Sequence, residues 1–327
     1  NAPAAMDIKG EWANKANQIS ILWPGNIDEV RVSVKDTIIN IYESDHIHFD
    51  SVEIRGANFF GAFVRQSDYN KFNRCKFSGI GEFGVYMFGV LQVPPDPGDT
   101  EGGEVTNCEF EDVLLASVFY RFCRGGIIKG NYIHRNGLQN GYYNLMEEIE
   151  PSPVHGYSIA VLNSLGGNPL VARNYIDSTA AGIITHFNRY SINIRENFIK
   201  NYGLSEISDI AGFYLVSDTY SSAIKSIKKN FFVNAHAPVG TMYHPYTDSY
   251  VHSVYFDQDS YSVKGDSNSI ENTSAALCTN GGKYRSFKYN NILNPNIHNM
   301  HYSHGNAIYH SYNIPLNNGT KAQNDTI

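Results

Sequence analysis

Four aspartates stand where this chain could do acid–base chemistry: Asp209, Asp218, Asp257 and Asp259. Hydrolysis of a glycosidic bond needs two flanking carboxyl groups, about 5 to 5.5 Å apart for retention of configuration and about 6.5 to 9.5 Å for inversion. Asp209 lies just before one candidate strand and Asp257 ends the next. Asp218 and Asp259 sit two positions beyond the ends of the same strands. Stacked on neighbouring coils, these two would either share a proton or hold a cation such as Ca²⁺. No other cofactor is implied. His186, in the same strand column as Asp257, offers a proton carrier. Arg65 and Arg121 offer the cations that an elimination reaction uses to neutralise a carboxylate, but no clear Lys or Tyr base accompanies them, so hydrolysis stands ahead of elimination. Aspartates also cap turns, the plain structural role for any one of them.

The elements that must position these residues come from a repeat. A triplet recurs at Val52-Glu53-Ile54, Cys75-Lys76-Phe77, Cys108-Glu109-Phe110, Asn131-Tyr132-Ile133, Asn174-Tyr175-Ile176, Asn197-Phe198-Ile199, Asn230-Phe231-Phe232, Asn268-Ser269-Ile270 and Asn290-Asn291-Ile292. Successive spacings are 23, 33, 23, 43, 23, 33, 38 and 22 residues. A base period of 22 or 23 with insertions is the pattern of constant coils that accept extra residues in loops. One uninterrupted period, from Asn174 to Asn197, carries three short strand-like segments. That predicts an all-β chain folded as a right-handed parallel β-helix of about nine coils, with the aligned Asn bonding along the axis. Cys75 and Cys108 fall in the same column and should stack as reduced thiols. Boundaries follow: residues 1–36 form strands leading into the helix, 37–295 form the coils, and 296–327 form an irregular His- and Asn-rich tail.

The middle strands align as Gly61 to Arg65, Gly84 to Phe88, Ser117 to Arg121, Ser158 to Leu162, Gly182 to His186, Gly212 to Val216, Ser253 to Asp257 and Ser274 to Cys278. Period-two alternation turns the apolar second and fourth columns inward. The third and fifth columns then face solvent, with Tyr86, Phe119, Tyr214 and Tyr255 in one and Arg65, Arg121, His186 and Asp257 in the other. Aromatic planes stack on apolar pyranose faces and charged groups orient hydroxyls, so this face suits a polysaccharide or oligosaccharide. Insertions at residues 89–102, 136–156, 203–211 and 235–252 flank it and would wall a groove.

Composition narrows the alternatives. With 25 Lys and Arg against 32 Asp and Glu, the net charge of −7 excludes a phosphate-neutralising partner, so no nucleic acid is expected. No apolar run approaches the roughly 18 residues of a membrane span. The chain reads as soluble, processed and extracellular. Asn occurs 35 times and Leu 14 times, which favours turns over helices. Asn272, Asn318 and Asn324 each open a glycosylation triplet. Four cysteines are too few for a disulfide scaffold and lack zinc spacing.

Several stretches resemble the secreted right-handed β-helix proteins of the pectate-lyase type, which include polysaccharide lyases and glycoside hydrolases. They are Gly10-Glu11-Trp12 with Leu22-Trp23-Pro24, the run Ile47 to Ala57, Ser208-Asp209 before Ala211-Gly212-Phe213-Tyr214, and Val254-Tyr255-Phe256-Asp257. The likeness covers about residues 7 to 295. It implies the coiled fold and a carbohydrate-active function, and it favours Asp209 with Asp257 as the catalytic pair. Such proteins usually carry more coils and a cap before the Gly-Glu-Trp region, which implies a longer parent chain. An alternative follows: a non-catalytic module that binds glycan or assembles end to end through open coil ends.

Overall fold

Segments of three to six residues with β-branched and aromatic side chains are too short to bury a core alone, and they reach stability here by stacking on their own repeats. The computed structural model describes residues 12–15, 18–21, 33–89, 100–138, 156–162, 164–186, 190–204, 210–216, 223–236, 251–257, 260–273, 275–280, 285–293, 298–304, 308–311 and 314–315. Two units divide between Val34 and Lys35. In the first, Trp12–Lys15 pairs antiparallel with Gln18–Ile21.

The second unit consists of three parallel sheets of ten strands each, entered in turn on every circuit of the chain. The first sheet begins with Thr37–Tyr42, the second with His48–Asp50 and the third with Glu53–Ala57. Each then adds its next strand one coil further along, as Phe60–Arg65, Lys71–Asn73 and Lys76–Ile80 do. Parallel strands joined through a crossover take the right-handed connection, so the chain is a right-handed parallel β-helix. The segment expected to be an irregular tail departs from that expectation. His298–His304, Ile308–Ser311 and Ile314–Pro315 pair in parallel with the preceding strand of each sheet and make the tenth coil. Its ladder is backbone pairing, which needs no apolar period, so a polar composition hid it.

The interior is built from one column per sheet position. Ile54, Phe77, Phe110, Ile133, Ile176, Ile199, Phe232, Ile270 and Ile292 of the third sheet are all buried, as are Phe72, Val105, Ile128, Val171, Ile194, Ile227 and Phe287 of the second. Phe77 and Phe110 stack at 4.9 Å between centroids. Their rings reach under the start of the first-sheet strands. A Cβ on Gly61 would lie 2.6 Å from Gly84 O and 2.8 Å from Phe77, and one on Gly84 2.5 Å from Ser117 O and 2.7 Å from Phe110, which is why these two positions hold Gly.

The corner between the second and third sheets repeats a single conformation. Ser51, Arg74, Asn107, Arg173, Glu196, Lys229, Ser267 and Tyr289 all adopt left-handed φ between 53° and 60°, and Gly130 joins them at 69°. The next residue is the ladder. Asn131, Asn174, Asn197 and Asn230 each donate Nδ2 to the Oδ1 of the Asn one coil further on, at 2.9 to 3.0 Å, and a second Nδ2 bond goes to a second-sheet carbonyl. Cys75 and Cys108 take over the same role with free thiols: Cys75 N–H donates to Cys108 Sγ at 3.4 Å, and Cys108 N–H donates to Asn131 Oδ1 at 2.9 Å. Bonding to Cys108 brings the Cys75 thiol down to about 6, while bonding to Cys75, followed by burial, pushes Cys108 up.

Candidate functional site

Backbone register fixes the first-sheet columns. Phe63, Tyr86, Phe119, Ala160, Ile184, Tyr214 and Tyr255 pair in sequence along one line. Tyr42, Arg65, Phe88, Arg121, Leu162, His186 and Val216 form the parallel line two positions on, and Asp257 follows Val216, its N–H donating to Leu215 O at 2.9 Å. The alternating residues Ala62, Val64, Val85, Met87, Val118, Ile159, Ile183, Phe213 and Val254 are fully buried on the other side. One alignment is corrected: Cys278 lies beside Tyr255, not beside Asp257, a shift of two residues that preserves the face. The turn from Ile270 to the core residue Leu277 takes the same seven-residue step as that from Ile176 to Ile183.

The exposure of this face also differs from the expectation. Phe119 is 1 % exposed, Tyr214 4 %, Tyr255 7 % and Tyr86 8 %. These rings are not free solvent platforms, because they pack on one another: Tyr86 on Phe119 at 4.6 Å and Tyr214 on Tyr255 at 4.8 Å. A further column at the strand starts closes over them, and simple alternation did not reveal it. Phe60 stacks on Phe63 at 5.0 Å, Phe83 on Phe119 at 5.1 Å, Tyr157 on Tyr214 at 6.0 Å, and His252 lies 4.8 Å from Tyr255. Period two places Phe60 and Phe63 on opposite faces, yet they touch, so parity breaks as each strand begins. The recurrence of Phe60, Phe83, Tyr157 and His252 at one repeat position was the signal available.

Charge is distributed unevenly along the face. In the early coils the Arg65 guanidinium lies 4.5 Å above Tyr42 and 5.5 Å from Phe63, while that of Arg121 lies 4.7 Å from Phe122 and 5.8 Å from Phe88. Such cation–ring contacts hold the cations over the aromatic floor. In the later coils the polar groups are an acid and an imidazole. Tyr214 donates its hydroxyl to Asp257 Oδ2 at 2.6 Å, so a residue expected to stack on a sugar also orients the carboxylate. His186 and Asp257 are 5 % and 6 % exposed. Burial brings the His186 imidazolium down to about 4, against the opposing pull of the Asp257 charge, so His186 is a neutral base near pH 7.

The remaining candidates divide simply. Asp209, Asp218, Asp259, Asn318 and Asn324 lie outside the described residues, as do most of the four insertions. Asn272 adopts φ 52° and donates its side-chain amide to Asn234 Oδ1 at 3.2 Å. Among the described residues one further cluster has metal-binding donors, Glu109, Glu111 and His134 on the third sheet. It is already neutralised: Lys76 lies 3.0 Å from Glu109 and 3.3 Å from Glu111, and Arg135 pairs with Glu111 and with Asp112. No helix among the described residues is long and apolar enough to cross a membrane.

No family model matches the sequence, and no curated protein does. Two solved structures are similar in fold. One is the tailspike protein of E. coli bacteriophage HK620 in complex with pentasaccharide, at 11% identity and a TM-score of 0.48 over 83% of this chain. The other is a mannuronic acid specific polysaccharide family 6 lyase enzyme from human gut microbiota, at 10% identity and a TM-score of 0.49 over 86% of this chain. The chain spans 46% of the length of the tailspike chain and 66% of the lyase chain.

Proposed function

We propose that the chain is a carbohydrate-active β-helix protein that binds a polysaccharide along the first-sheet face and hydrolyses it there. The observation that carries this reading is one column with an aromatic group at each end, Phe63, Tyr86 and Phe119 beside Arg65 and Arg121, then Ala160 and Ile184, then Tyr214 and Tyr255 at the Tyr214–Asp257 hydrogen bond. The half-buried Phe63 and Phe88 beside the half-buried Arg65 and Arg121 put apolar and polar groups side by side on this face, as sugar recognition requires. Asp257, fixed by Tyr214, is suited to act as one carboxyl of a pair, with Asp209 as the other. His186 stands in its neutral form at the same end of the face, where burial opposes the protonation that a proton carrier would have to undergo. Calcium between Asp218 and Asp259, and passage of the protein to the extracellular space, belong to the same proposal.

Digestion of a polysaccharide panel tests it, with reducing ends and the ultraviolet absorbance of unsaturated products measured together. Asp257→Asn and Asp209→Asn should each abolish release of reducing ends by at least about a hundredfold with the fold retained. Full activity in both variants would remove the assignment. Unsaturated products would replace hydrolysis by elimination, and the Arg65 and Arg121 cations favour that second reading. Binding without any cleavage would leave a glycan-binding module.

A further inference from the structure

The third sheet carries a second aromatic line, remote in register from the first-sheet site. Tyr132, Tyr175, Phe198 and Phe231 occupy consecutive rungs of one column. The intervening residues Ile133, Ile176, Ile199 and Phe232 are fully buried, so this column points outward. Tyr132 is 42 % exposed, Tyr175 37 % and Phe231 47 %. Tyr175 and Phe198 stack at 5.2 Å with planes 10° apart, so each covers a face of the other. Phe198 and Phe231 meet at 6.1 Å and 31°. The rung beyond Phe231 is Ser269, followed by Asn291, and no ring among the described residues covers that side of Phe231. Glu271 stands beside this step, in register with Val233, and makes no ion pair among the described residues.

We infer that the outer face of Phe231, above Ser269 and Asn291, is a binding site for a neutral oligosaccharide, with Glu271 and Asn291 bonding its hydroxyls. The ligand class is the one proposed for the first sheet, but the site rests on different residues and stands or falls separately. Charge argues for a neutral ligand. Lys200 is paired with Asp177 at 3.0 Å while lying 5.4 Å from the Tyr175 ring, and Lys76 and Arg135 are paired with Glu109, Glu111 and Asp112. Beside Phe231 itself, the exposed Lys228 and Lys229 and the half-buried Glu271 bring both signs of charge near the ring, so neither a cationic nor an anionic ligand is selected over a neutral one. Size argues against a protein partner. The open face is a single ring at the end of a strip one residue wide, far below the roughly 800 Å² that each partner contributes to a specific protein interface, and it suits one sugar ring of an oligosaccharide stacked on Phe231. A carboxylate and an amide beside an aromatic plane match the alternating hydroxyl and C–H faces of a pyranose.

The test is titration, followed by NMR or calorimetry, with hexasaccharides of β-1,4-glucan, α-1,4-glucan and β-1,4-mannan. At least one should bind with Kd of about 0.1 to 10 mM. Phe231→Ala should weaken that binding about fivefold or more, Glu271→Gln should weaken it less, and Phe231→Trp should preserve it. Tyr214→Ala, titrated under conditions where circular dichroism shows it folded, should leave this component unchanged, which separates it from the first-sheet site. The inference is overturned if no hexasaccharide binds, or if all binding is lost in Tyr214→Ala and none in Phe231→Ala. It is equally overturned if Phe231→Ala acts only by abolishing a concentration-dependent dimer. Loss in Phe231→Ala with Tyr214→Ala and Asp257→Asn both silent would overturn the first-sheet reading and keep this one.

Discussion

His186 and Lys225 are buried bases whose protonation the fold opposes, and each makes a pH-dependent contribution with a definite sign. His186 has its pKa lowered by burial from 6.5 to about 4. Between those values the unfolded chain binds the proton and the folded chain does not, so stability falls as pH drops from 6.5 toward 4. His186→Gln should flatten that window in chemical denaturation measured at intervals of pH. An unchanged slope would show that the imidazole is not the responsible group. Lys225 is fully buried between Ile192 and Val263 in register, its Nζ has no hydrogen-bond partner among the described residues, and burial brings it from 10.5 to about 8. Below pH 8 both states are protonated and the folded one bears the full desolvation penalty. Stability should therefore rise between pH 8 and 10.5, and Lys225→Met should be more stable than the parent at pH 7 and lose that rise. A less stable Met variant would point to a role for the amine that its surroundings do not disclose.

The corner between the second and third sheets holds side chains in a conformation that L residues resist, and the Asn ladder behind it compensates. Lys229 is exposed with φ 55°. Lys229→Gly relieves the Cβ strain without touching the ladder, and should stabilise by about 1 kcal/mol in denaturant titration. The converse change, Gly130→Ala, places a Cβ 2.7 Å from Asn107 Oδ1 at φ 69° and should destabilise. Much of this element was legible in the sequence, because the Asn that marks the corner must be Asn for its amide to donate twice and accept. The register of the first sheet was legible as well, from Gly61 through Asp257, since one face must be uniformly apolar. The burial of Tyr214 and Tyr255 was not, because it depends on where Tyr157 and His252 lie at strand starts, and parity fails there. Truncating Tyr214 would therefore cost stability as well as binding, which makes Tyr214→Phe the cleaner probe of its bond to Asp257. The left-handed corner was legible at only some coils, since Ser51, Asn107, Gly130 and Ser267 are turn residues while Arg74, Arg173, Glu196, Lys229 and Tyr289 carry no turn preference.

At the scale of the whole molecule, each coil touches only the coils before and after it, so stability is a chain of nearest-neighbour terms and not one shared core. Phe110 makes this testable. Its ring is fully buried, stacks on Phe77 at 4.9 Å and approaches the backbone beneath Gly84. Phe110→Ala leaves a cavity worth about 3 to 5 kcal/mol in a packed interior. In a globular domain that loss would lower protection from hydrogen exchange everywhere, because opening is global. Here the loss should be local: amides of Lys76–Ile80, Phe83–Phe88, Glu109–Val113 and Ala116–Arg121 should exchange faster, while those of Lys225–Lys228 and Phe231–Ala235 keep their rates. The ladder of Asn131, Asn174, Asn197 and Asn230 runs between the two regions and is the element that would carry the disturbance further. Equal acceleration in both regions would mean that the ladder couples the coils into one cooperative unit. The candidate sites on the first and third sheets would then respond to damage anywhere along the helix.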